Sequence, residues 1–166
     1  MTITSVPNLH VSTQSKVKGD GEVFLQNRVD GTSAGTFTIR LNVTFNTGGT
    51  DLYPSGPLVI ITKLSDGIDG TFSATSIETI NSFGKHTPTV ALTGRCDVAP
   101  SEHVPAPKGC RFWVLIANNK RANPPPGHAQ TPTPDIVSFV ITDKDGNRVN
   151  YGTGPLRSGD ILVETA

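Results

Sequence analysis

Residues 36–45 constrain this chain more than any other stretch. They read TFTIRLNVTF, so Phe37, Ile39, Leu41, Val43 and Phe45 alternate strictly with Thr, Arg and Asn. A period of two places the apolar side chains on one face of an extended strand and the polar set in water. This is a half-buried antiparallel strand, and its dry face needs further strands to cover it.

The rest of the sequence supplies them. Apolar or β-branched runs at residues 22–29, 58–64, 71–83, 89–93, 110–117, 136–142, 148–151 and 161–164 read as strands. In residues 71–83 the apolar positions Phe72, Ala74, Ile77 and Ile80 fit no single period. Residues 74–80 could form a helical turn, but their Ser and Thr content favours a strand. With 17 Gly and 13 Pro, the composition suits short strands and many turns and suits long helices badly. The fold expected is a single all-β domain over residues 1–166. It would be an antiparallel β-sandwich, Ig-like or a jelly-roll Greek key, of eight or nine strands. Residues 1–14, with Ile3, Val6, Leu9 and Val11 in a polar setting, would form an N-terminal arm or edge strand.

Turns are expected at Gly19-Asp20-Gly21, at Asp30-Gly31, over residues 47–50 and at Asp66-Gly67. Asp145-Gly146 lies between two strand patterns and predicts a two-residue type I′ hairpin, with Asp143 opposite Arg148. In the segment Cys110–Ala117, Phe112 and Trp113 alternate, so one faces the core and the other the opposite sheet face. The apolar residues after them favour packing roles for both. On an exposed face, an aromatic ring there could stack on a sugar.

Cys96 and Cys110 flank a Pro- and Gly-rich loop, where one strand ends and another begins. A Cys96–Cys110 disulfide is expected, closing a loop of about 15 residues and contributing about 3 kcal/mol in the chain-entropy model. The alternative is two small buried thiols. A disulfide suits an extracellular or periplasmic setting. The opening residues lack the basic and apolar regions of a signal peptide. They fit a mature chain with an added initiator Met, or a protein that stays inside the cell. No apolar run approaches the ~20 residues of a membrane-spanning helix.

Fourteen basic and fourteen acidic residues give a formal net charge of zero, with no basic stripe to mark a nucleic-acid partner or an anionic membrane. Catalytic and metal motifs are missing too. His10, His86, His103 and His128 are scattered with no pair at ligand spacing, so no metal and no cofactor are expected. Residues 143–147 resemble the start of a calcium loop but lack its later ligands. There is no nucleophile elbow, and Gly152-Thr153-Gly154 is not a phosphate loop.

The expectation is therefore a non-catalytic module, secreted or surface-associated, that binds a carbohydrate or protein through its loops. Two loops are long enough to do so, residues 97–109 and 118–134, and one intervening strand puts them at opposite ends of the domain. Lys120, Arg121, Asn123 and His128 in the second are the candidate binding residues. The rival expectation is a structural subunit that forms a homo-oligomer through edge strands or the N-terminal arm. The third is an enzyme whose residues converge only in three dimensions.

Overall fold

The computed structural model describes residues 14–25, 34–46, 51–65, 69–84, 88–100, 109–121 and 133–165. They form eight strands: β1 (Gln14–Leu25), β2 (Gly35–Asn46), β3 (Leu58–Leu64), β4 (Gly70–Phe83), β5 (Thr89–Pro100), β6 (Cys110–Ala117), β7 (Ile136–Asp143) and β8 (Arg148–Thr165). A 3-10 turn at Asn119–Arg121 follows β6. Each strand pairs antiparallel with the next, and β8 returns to β1, so the sheet closes into an eight-stranded barrel.

The closed barrel corrects the expected sandwich, whether Ig-like or jelly-roll. Both architectures need strands with one dry face, so alternation cannot separate them. The element that decides is β8. Its first half, residues 148–155, pairs with β7, and its second half, residues 156–165, pairs with β1. From sequence this strand reads as two, residues 148–151 and 161–164, with Gly152, Gly154 and Gly159 between them. Those glycines are packing devices. A Cβ on Gly152 would sit 3.1 Å from a Phe37 ring carbon, and one on Gly154 would sit 2.7 Å from Val23 Cγ1. Gly19-Asp20-Gly21 is likewise no turn: it lies within β1, where a Cβ on Gly19 would fall 2.1 Å from the Asp160 carbonyl oxygen. Glycine there lets β1 and β8 approach closely enough to close the barrel.

The lumen is a packed hydrophobic core. Phe37, Ile39, Leu41 and Val43 all point inward and are buried, as their alternation requires. Phe37 meets Phe139 edge to face, with ring centroids 4.6 Å apart. Two buried polar pairs cross the interior, Ser15 Oγ to Ser82 Oγ at 2.7 Å and Asn150 Nδ2 donating to Thr62 Oγ1 at 2.9 Å. The outward side of β1 and β2 carries Lys16, Lys18, Asp20, Glu22, Arg40 and Asn42. On these two strands apolar inside and charged outside is the reverse of the pattern in outer-membrane barrels. No helix among the described residues is long and apolar enough to cross a membrane.

Strand β4 explains its own unreadable period. Its ladder with β5 shifts between Ala74 and Ser76 and again between Ile77 and Thr79, so Thr75 and Glu78 are extra residues in two β-bulges. Phe72, Ala74, Ile77, Ile80 and Ser82 then all face inward.

Cys96 and Cys110 stand directly opposite each other in the β5–β6 ladder and are joined by a disulfide, with 4.8 Å between Cα atoms. The bridge is buried and joins β5 to β6, and β5 runs past it, so residues 97–100, expected in the loop, belong to the strand and pair with β4. The β7–β8 hairpin differs from the expected type I′ turn. Gly146 N donates to Asp143 O at 3.1 Å and Asp143 N donates to Asn147 O at 2.8 Å, which makes a three-residue loop of Lys144, Asp145 and Gly146. Arg148 consequently faces Thr142, not Asp143. The cause is the Asp143 side chain, whose Oδ1 accepts from the backbone N–H groups of Asp145 and Asn147, both at 2.9 Å. Residues 1–13 of the expected N-terminal arm and the turns at residues 30–31, 47–50 and 66–67 lie outside the described residues, while Gln14 opens β1.

Candidate binding surface on the barrel wall

Because side chains fill the lumen, the outer wall is where distinctive chemistry lies. Cross-strand register arranges the outward residues of β5 to β8 in rows. Arg95 stands opposite Arg111, Arg111 opposite Thr142, and Thr142 opposite Arg148. One step along the strands, Thr93 stands opposite Trp113, Trp113 opposite Val140, and Val140 opposite Tyr151. A cationic row thus borders an aromatic one.

Two bulges shape this surface. On β8 the ladder steps from Asn150 to Arg148, leaving Val149 as the extra residue. Without that step Arg148 would share the inward face of Asn150. With it, Arg148 lies outside and its guanidinium carbon sits 4.0 Å from the centre of the Tyr151 ring. On β4 the second bulge leaves both Glu78 and Thr79 facing out. Glu78 reaches across β5 to two arginines: Arg95 Nε donates to Oε1 at 3.0 Å, and Arg111 Nη1 donates to Oε2 at 3.2 Å.

Between these groups lies an open depression of about 230 Å³, lined by Glu78, Thr93, Arg111, Trp113, Val140 and Thr142 among others. Trp113 is 39% exposed, while its neighbour Phe112 is 4% exposed and points into the lumen. This corrects the reading of both rings as packing residues. The surface adds little to the stability of the sheet. Like charges directly opposite each other are destabilising, and exposed ion pairs return only about 0.2–1 kcal/mol. The Arg148–Tyr151 stack adds about 0.5–1 kcal/mol at an exposed site. What the recess offers is an apolar ring face, a carboxylate acceptor, the Arg111 guanidinium and threonine hydroxyls, with Arg148 outside its lining.

The loop expected to bind is tied into the fold at its root. Lys120 Nζ donates to the Gly159 carbonyl at 3.0 Å, and Lys120 N donates to Asp135 Oδ1 at 3.0 Å. Asp135 is fully buried, and its Oδ2 accepts from Ile161 N at 3.3 Å. With its amide turned to suit its neighbours, Asn118 donates to Asp135 Oδ1 at 3.1 Å and to Ile161 O at 3.2 Å, and accepts from Val163 N at 3.0 Å. These bonds satisfy buried polar groups where the chain leaves β6 and enters β7. The Arg121 side chain, Asn123 and His128 lie outside the described residues, as do His10, His86 and His103. Trp113 is four residues from the Ala117 end of β6, or roughly 13 Å along the strand, so the loop root and the wall depression are separate places.

Among the described residues no group of three or more His, Cys, Asp or Glu side chains converges to hold a metal ion. Compared with family models, curated proteins and solved structures, the chain matches none. Glu78 was missed from sequence because a bulge residue belongs to no period. The available signal was the spacing of three between Ala74 and Ile77 and again between Ile77 and Ile80.

Proposed function

We propose that this barrel is a non-catalytic binding module that recognises carbohydrate through the wall depression around Trp113. The observation that carries the reading is the half-exposed Trp113 ring beside the Glu78–Arg111 pair on the outer face of the sheet. A pyranose presents an apolar C–H face and hydroxyl-bearing edges. An indole ring packs against the first, and carboxylate, guanidinium and hydroxyl groups hydrogen-bond the second. A few convergent polar groups around an apolar platform are the usual means by which a shallow site fixes orientation. The disulfide and the charged outer wall support an extracellular or periplasmic home.

A glycan array probed with the full chain tests this, with the Trp113→Ala variant as the matched control. Retention of a defined set of glycans by the parent and its loss in the variant is the expected result. A blank array, or a pattern that Trp113→Ala leaves unchanged, overturns the proposal.

A further inference from the structure

The charge of the wall patch points to the class of sugar. The row Arg95, Arg111, Thr142, Arg148 crosses four strands. Three spacings of about 4.8 Å make its span about 14 Å. Three guanidiniums lie in it, and the carboxylate that reaches it is Glu78, which bridges Arg95 and Arg111. The other nearby acids form no ion pair with the row among the described residues. Asp143, next along β7 from Thr142, has both carboxylate oxygens engaged by its own turn: Oδ1 by Asp145 N and Asn147 N, Oδ2 by Asn147 Nδ2. Asp97 is the next outward residue of β5 beyond Arg95, at the far end of the row from Arg148. The half of the row over Arg111 and Arg148 therefore places two guanidiniums beside the Trp113–Tyr151 row, and Arg148 makes no ion pair among the described residues.

Resting on the carbohydrate reading above, we infer that the patch selects carboxylated sugars, the uronic acid units of an acidic polysaccharide. The sugar ring lies on Trp113, and its carboxylate is held between Arg111 and Arg148, where the planar guanidinium fork matches a planar carboxylate. Glu78 sets the position of Arg111 and accepts from ring hydroxyls. A nucleic acid is the other polyanion whose rings stack on an exposed tryptophan. A nucleic acid also needs a groove of cations tracking many phosphates, whereas this chain carries a formal net charge of zero.

Trp113 is the only tryptophan, so intrinsic fluorescence reads the patch directly. The full chain is titrated with oligosaccharides of galacturonate, glucuronate and mannuronate, with their methyl esters, with neutral oligosaccharides of equal length, and with a single-stranded oligonucleotide. The expected result is a saturable change with at least one acidic series, at least tenfold weaker for its ester, and weakened by added salt. Arg111→Ala and Arg148→Ala should each remove the preference for the acid over the ester without changing the melting temperature by more than a few degrees. Equal affinity for acid and ester, or a response confined to neutral sugars, overturns this inference and leaves the carbohydrate reading standing. No response to any sugar, or a response to the oligonucleotide alone, removes both.

Discussion

Strands β2 and β4 are close in length, 12 and 14 residues, yet they are opposite kinds of wall. β2 pairs with β1 and β3 in unbroken register, and its inward positions alternate without a slip. β4 carries two bulges and pairs with β3 at only four positions among the described residues. The regular strand is devoted to the core. The irregular one gives up ladder regularity and in exchange presents Glu78 to Arg95 and Arg111 beside an exposed tryptophan. Bulges re-aim side chains at the cost of local pairing, so they concentrate where a sheet does something besides fold. The Val149 bulge on β8 repeats the lesson at the other edge of the same patch, bringing Arg148 out to Tyr151.

That contrast can be broken by substitution. The largest effect belongs to the regular core: Phe139→Ala, which removes the partner of Phe37, should cost about 3–5 kcal/mol in denaturant unfolding. A loss below about 1 kcal/mol would mean that the lumen is not the packed core described. Next comes the disulfide, which sits opposite Ala74 at the first β4 bulge. Replacing Cys96 and Cys110 together by serine should cost about 3 kcal/mol, read from the same unfolding curves. An unchanged midpoint would show that the bulged side of the barrel is held by its ladders alone. Glu78→Gln sharpens the comparison from the other direction. Its ion pairs are substantially exposed, so the loss in stability should stay within about 0.2–1 kcal/mol and shrink in high salt.

The most local effect is at the β7–β8 turn. The Asn147 N–H, joined by its side-chain amide and by Asp145 N–H, holds the Asp143 carboxyl below the usual carboxylate range. A carboxyl lowered in the folded state stabilises it above the unfolded pKa, and that contribution is lost as pH falls through the folded value. Amide-exchange protection of residues 143–148 should therefore drop on acidification into the lower carboxylate range. In Asp143→Asn this pH dependence should disappear. A hairpin whose protection is flat with pH in the parent chain would contradict the assignment.

Much of the barrel was legible where one residue in two is apolar. β2, β3 and β6 were read within a residue or so, and the bridge between Cys96 and Cys110 followed from loop composition at two strand ends. Closure was not legible, because sandwich and barrel strands bury the same faces and only the pairing of β8 with β1 separates them. Glycine misled twice in the same way. Gly19 to Gly21 read as a turn, and the glycines between residues 151 and 161 fell outside any expected strand, whereas both sets permit close packing inside continuous strands. The wall patch was half visible. The alternation of Phe112 with Trp113 was on the page, but which ring faced out depended on the sheet having an uncovered side, and Glu78 and Arg148 reach the patch only through bulges.

Adjacent residues face opposite ways, Phe112 buried in the lumen and Trp113 exposed on the wall, and the proposal gives the second a ligand to hold. The most direct test is the affinity of Trp113→Ala for the best glycan ligand, measured by titration calorimetry on the full chain. The expected result is at least a tenfold loss, about 1.4 kcal/mol, with a melting temperature within a few degrees of the parent. Unchanged affinity would remove Trp113 from the site, and a collapse of stability like that of a buried aromatic would return it to the core.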